Sequence, residues 1–167
     1  MVAARFCEKC GHAMERRRIE DRDVPACPEC GFIAWRNPTV ATMVIIDTPG
    51  GIVLGRRAIE PGYGLWCLPG GFVNEDEAPV AAAGRECEEE IGAKVEIERL
   101  LGVYHIVRAD GAGMVGIAYR ASLKDGESPA PGSEMLEVGL FAPEKLPELA
   151  FGSHRQAVAD WLRERGG

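Results

Sequence analysis

Gly71-Phe72-Val73-Asn74-Glu75-Asp76-Glu77-Ala78-Pro79-Val80-Ala81-Ala82-Ala83-Gly84-Arg85-Glu86-Cys87-Glu88-Glu89-Glu90-Ile91-Gly92-Ala93 is the stretch whose reading decides the fold. From Ala78 to Ile91 it reads as one helix. Pro79 suits the first turn, where a missing N–H costs nothing, and Gly92 suits the stop. At 100° per residue, Val80, Ala83, Gly84, Cys87 and Ile91 form an apolar stripe expected to pack on a sheet. Gly84 costs roughly 1 kcal/mol against alanine in a helix interior, which points to close backbone packing. Glu86, Glu89 and Glu90 share another face, since i, i+3 and i+4 are neighbours. Three carboxylates there repel each other and oppose the negative end of the helix dipole. An acidic run is ordinarily a solvated face. Here Arg85 stands one turn before Glu89, and Glu77 lies within reach of Arg85, so a bound cation is the better resolution. Hard carboxylate oxygens suit Mg²⁺ or Mn²⁺. Glu88 falls on the outer side and reads as a surface charge.

Outward from this helix the pattern is mixed α and β. Val40–Asp47 and Ile52–Arg56 read as a hairpin across Thr48-Pro49-Gly50-Gly51. A Gly- and Pro-rich loop runs from Pro61 to Gly71. Val95–Leu101, Leu101–Ala109, Met114–Leu123 and Leu136–Phe141 read as further strands, and Ser153–Arg165 as a closing amphipathic helix.

Residues 1–36 read as a separate unit ahead of a 37–167 domain, with Asn37-Pro38 at the boundary. Cys7, Cys10, Cys27 and Cys30 make two C-x-x-C pairs joined by a charged loop from Glu15 to Asp23. Each pair is followed by a glycine, Gly11 or Gly31, as a ribbon knuckle requires. Four such ligands suit one tetrahedral structural Zn²⁺ with no position open for chemistry. A redox pair is the alternative, and two pairs within thirty residues argue against it; His12 is read as a bystander. Cys67 and Cys87 read as small core residues.

Charge is divided unevenly: residues 1–36 sum to +1, and the remainder to −8. An acidic body argues against a surface that tracks nucleic acid. Arg16-Arg17-Arg18 is interleaved with Glu15, Glu20, Asp21 and Asp23, as in a solvated loop. No apolar run approaches a membrane span, and no signal-peptide pattern opens the chain, so the expected compartment is the cytoplasm.

The 71–93 stretch resembles the Nudix box: Gly71, Glu77, Arg85, Glu86, Glu89, Glu90 and Gly92 match every fixed position, with Cys87 and Ala93 in the apolar slots. The resemblance implies an α-β-α sandwich with a mixed sheet, here preceded by a small zinc ribbon. It implies Glu86, Glu89 and Glu90 as ligands of Mg²⁺ or Mn²⁺, with Arg85 tied to Glu77. Catalysis is assigned to Glu89, Arg85, Glu77 and Glu134, the general base being Glu89 or a later glutamate, Glu134 or Glu137. Arg57, Trp66, Gly70 and Gly71 are the candidates for substrate contact. Trp66 and Tyr63 can stack on a base, although Trp66 equally suits an anchor for its loop. His105 and His154 have no identifiable partner.

A ribbon joined to such a domain is similar to two groups. The NADH pyrophosphatases carry a Ser-Gln-Pro-Trp-Pro-Phe-Pro run that this chain lacks. The shorter group, which includes FAD and ADP-ribose pyrophosphatases, is similar at Arg56–Pro61, Tyr63–Trp66, Ala130–Glu134, Leu136–Val138, Leu140–Phe141 and Leu149–Phe151. This implies cleavage of FAD or ADP-ribose with release of AMP. The alternatives are a nucleoside triphosphate or NADH, or a non-catalytic metabolite sensor, against which the intact box argues. The expected partner is a small-molecule nucleotide, with no nucleic acid or membrane, and a homodimer is left open.

Overall fold

The computed structural model describes residues 5–166. The first four residues of the expected ribbon segment, and residue 167, lie outside the described residues. Two compact units emerge: one ends at Pro38 and also takes in Arg108–Gly113, and the other comprises Thr39–Val107 and Met114 onward. No helix among the described residues is long and apolar enough to cross a membrane.

In the first unit, β1 (Glu15–Ile19) and β2 (Arg22–Ala26) form an antiparallel hairpin. The segment expected as a charged loop is therefore mostly strand. Arginine and glutamate alternation carries no apolar signal, and the pairing is set instead by the turn at Glu20, whose φ is 52°.

The second unit is a mixed sheet between two helices. Its strands are β3 (Thr39–Thr48), β4 (Gly51–Arg57), β5 (Trp66–Cys67), β6 (Val95–Val107), β7 (Gly113–Leu123) and β8 (Met135–Phe141). The order is β5-β4-β3-β7-β6, with β8 pairing β4. β3 and β7 run parallel over Thr39–Ile46 against Met114–Ala121. β3 and β4 form the expected hairpin, but only Asp47↔Ile52 and Thr48↔Gly51 pair. β4 then turns away to run antiparallel to β8. The 95–109 region, expected as two strands, is one strand from Val95 to Val107. Gly102 passes through without a break, packed against the Tyr104 ring.

Alternation along β3 divides the core in two. Met43 and Ile45 join Ile52, Leu54, Leu68, Ala118, Ala157, Val158 and Trp161 beneath α2 (Gly152–Arg165). Val44 and Ile46 join Val53, Ala83, Cys87, Ile91, Ala93 and Ala121 beneath α1 (Pro79–Ile91). These residues are almost wholly withdrawn from water, which is the main source of stability. Cys67 and Cys87 are buried, as read from the sequence. Two expectations for α1 need correction. Val80 is exposed, because the buried stripe runs through Ala82, Ala83, Cys87 and Ile91, and Ala82 is buried in its stead. Gly84 is not closely packed: a Cβ there would meet nothing within 4 Å.

Candidate active site

The loop leading into α1 is hung on β3. Thr42 N–H donates to Gly71 O at 2.8 Å, Val44 N–H to Pro69 O at 2.8 Å, and Val73 N–H to Val40 O at 3.0 Å. Gly71 lies so close to α1 that a Cβ would come within 2.5 Å of the Glu86 carboxylate. The turn is closed by Asn74 N–H, which donates to Glu77 Oε1 at 2.8 Å.

Arg85 binds this loop to the helix through all three of its nitrogens. Nη2 donates to Glu77 Oε1 at 2.7 Å and to Phe72 O at 3.1 Å, and Nε donates to Glu77 Oε2 at 3.1 Å. Nη1 bridges Glu86 Oε1 at 2.8 Å and Glu89 Oε2 at 3.0 Å. The bonds from Arg85, with the Asn74 amide, lower the Glu77 pKa to about 2. Charge-assisted bonds of this kind are roughly twice as strong as neutral ones.

Glu90 is the buried member of the cluster, 5% exposed, and accepts a bond from Gly70 N–H at 2.9 Å. Burial raises its pKa to about 7, with Glu86 and Glu134 adding repulsion and Arg57 opposing it. Burial likewise raises Glu86, helped by the charges of Glu89 and Glu134. A cluster of carboxylates that burial and mutual repulsion push toward protonation is short of positive charge. Glu86 and Glu90 are the two so affected, and their oxygens are of the kind a hard dication takes.

Glu134 is held beside the cluster by the chain after α1. Ala130 N–H donates to Ile91 O and Gly132 N–H to Glu90 O, both at 2.8 Å, so this segment satisfies carbonyls that end the helix. Gly132 is required by close approach, because a Cβ would stand 2.0 Å from Glu89 O. Its role was hidden in the sequence, where it stood only within the Ala130–Glu134 resemblance. Ala58 N–H then fixes Glu134 O at 2.8 Å. Glu137 instead reaches Arg56 at 3.6 Å, and Glu88 reaches Lys94 at 3.9 Å.

Arg57 donates from Nε to Pro61 O at 2.8 Å and lies 5.0 Å from the centroid of the Phe151 ring. Trp66 is half-buried, edge-on to Phe141 at 4.6 Å, while Tyr63 is exposed. His154, for which no partner was foreseen, accepts Leu68 N–H at Nδ1 at 3.0 Å. Burial, with the charges of Arg57 and Arg155, lowers its pKa to about 3. It is a neutral structural acceptor. His105 is exposed on β6.

In the first unit the ligand atoms of Cys7, Cys10, Cys27 and Cys30 lie within 4.8 Å of one another, with three sulfur pairs at 3.5–3.6 Å. Four sulfurs around one Zn²⁺ at 2.3 Å stand roughly 3.8 Å apart, so the cluster fits that ion closely.

Residues 36–162 match the model of the NUDIX domain. The chain belongs to the Nudix hydrolase family. A Nudix hydrolase of this kind is a pyrophosphatase acting on diphosphate linkages, typically with divalent metals. An ADP-ribose pyrophosphatase of Methanocaldococcus jannaschii is 32% identical over 158 residues, covering 94% of this chain and 89% of the relative. A NUDIX hydrolase from Nitrosomonas europaea is 34% identical with a TM-score of 0.86, covering 97% of this chain and 92% of that one. A MutT NUDIX hydrolase from Burkholderia pseudomallei is 33% identical with a TM-score of 0.66, covering 75% and 98%.

Proposed function

We propose that this Nudix hydrolase cleaves the diphosphate of ADP-ribose, releasing AMP and ribose 5-phosphate. The observation that carries the reading is similarity to an ADP-ribose pyrophosphatase along 94% of the chain. FAD, yielding AMP and FMN, is the second reading, since the Ala130–Glu134 and Leu149–Phe151 segments resemble a group that includes both FAD and ADP-ribose pyrophosphatases.

Residues 37–167 form the hydrolase domain and residues 1–36 a ribbon whose four cysteines hold structural Zn²⁺. Glu86, Glu89 and Glu90 would hold Mg²⁺ or Mn²⁺, which would supply positive charge for the diphosphate and a more acidic water. Arg85, anchored on Glu77, keeps the carboxylates convergent. Glu134, whose charge acts on both Glu86 and Glu90, takes the proton of the attacking water; the Arg56 contact draws Glu137 away from that task. Arg57, whose charge acts on Glu90, faces the phosphates. Gly70 and Gly71 let the backbone approach the substrate, and Trp66 steadies the base-binding loop against Phe141.

The test is product analysis with ADP-ribose, FAD, NADH and ATP in Mg²⁺. ADP-ribose should give the highest kcat/KM. A tenfold or greater preference for ATP, about 1.4 kcal/mol in transition-state binding, would overturn the assignment.

A further inference from the structure

The four-cysteine unit carries an open groove of about 400 Å³, lined wholly by residues between Arg16 and Arg36. The hairpin register sets Arg16 opposite Pro25. Along the other edge of β2, Ala34 N–H donates to Pro25 O at 2.9 Å and Ala26 bridges Ile33. Arg16 thus stands on one side of the groove and Trp35 with Arg36 on the other, over Val24 and Pro25.

Two features of this lining suit a ligand. Trp35 leaves 51% of its surface in water. Arg16 and Arg22 share the lining with one carboxylate, Asp23. Arg17 is neutralised by Glu15 at 3.0 Å, and Arg18 approaches Asp23 at 3.9 Å. Arg16 and Arg22 have no carboxylate partner among the described residues. A flat π face beside unneutralised guanidinium groups matches the two parts of a nucleotide, a base that stacks and a phosphate that accepts paired N–H donors. The volume falls within the usual range for a small-ligand site and is far too small for a duplex.

We infer that this groove binds a nucleoside phosphate, its base on Trp35 and its phosphate on Arg16 and Arg22. None of its residues belongs to the carboxylate cluster, so it is a second nucleotide site. The nucleotide is either free or one residue of a single strand.

The zinc-loaded full chain, labelled with ¹⁵N, reports directly through its three indole N–H signals. Trp35→Phe assigns the one that matters. Titration with AMP, or with a ten-residue oligouridylate, should move the Trp35 signal saturably. Movement by AMP identifies a free mononucleotide as sufficient, and movement by the oligonucleotide alone identifies a strand; either supports the site. Arg16→Ala or Arg22→Ala should weaken binding by about tenfold or more, the loss expected for a charged hydrogen bond. Arg17→Ala, outside the lining, should not. Trp35→Ala should abolish binding while zinc content and ADP-ribose turnover persist. No movement with either probe at millimolar concentration overturns the inference, as does an equal response to inorganic phosphate.

Discussion

Arg85 grips Glu77 with two hydrogen bonds, Nη2 to Oε1 at 2.7 Å and Nε to Oε2 at 3.1 Å, across the eight residues that separate loop from helix. The planar guanidinium is essential to this, because a lysine ammonium cannot span both oxygens and still reach Glu86, Glu89 and Phe72. Arg85→Lys should lower stability by about 1.5–3 kcal/mol, the range for hydrogen bonds to charged groups, and should also lower kcat. Thermal unfolding and steady-state kinetics measure the two effects. Unchanged values in both would mean that the loop is held by its backbone bonds to β3 alone.

The metal face of α1 is tested by three neighbouring glutamates. Glu89→Gln and Glu90→Gln keep size and remove an anionic oxygen, so kcat should fall by more than about 100-fold. Glu88→Gln alters only a 3.9 Å surface contact with Lys94 and should change kcat less than twofold, as roughly 0–1 kcal/mol is usual for such pairs. Equal losses in all three variants would contradict the assigned face.

Acid should remove the stabilising contributions of two groups in defined windows, while protonation of Glu90 below about pH 7 acts in the opposite sense. His154 is neutral in the folded protein, with a pKa lowered from 6.5 to about 3, so the unfolded chain binds more protons between those values. Its contribution is complete above pH 6.5 and diminishes as pH falls toward 3. Glu77, lowered from 4.5 to about 2, adds a second loss that begins near pH 4.5. Melting temperatures of His154→Gln and the parent chain should converge between pH 7 and pH 4. Parallel curves would remove His154 from the account.

Zinc removal should separate the two units. Cys7→Ser or Cys27→Ser should lose bound zinc, whose binding stabilises ribbon peptides by about 10–16 kcal/mol. The circular dichroism of the hydrolase unit and its ADP-ribose turnover should persist. Metal analysis finding less than stoichiometric zinc in the parent chain would refute the ribbon.

Much of this was legible in the sequence, and the rest was hidden for identifiable reasons. The Glu77–Arg85 tie and the Gly92 stop of α1 depend on local spacing, and they appear as read. Glu86 and Glu89 meet on the Arg85 guanidinium for the same reason. The neighbourhood of Glu134 depends on Gly132 lying against Glu89 O, a contact between segments over forty residues apart that leaves no periodic trace. His154 meets Leu68 across 86 residues, equally invisible to spacing. Val80 was misjudged because small alanines at 82 and 83 carry little periodic signal, yet they set the centre of the buried face. The β1–β2 hairpin lacks the apolar alternation that reveals a strand.

β3 delivers its side chains alternately to two separate cores while its backbone carries both β7 and the loop before α1. A strand so committed cannot shift without disrupting every layer of the molecule. Adaptation to leaving groups of different bulk would therefore fall to the exposed segment around Tyr63, which contributes nothing to either core. Selectivity and bond cleavage are in this way mechanically decoupled, so mutations can retune the first without disturbing the second.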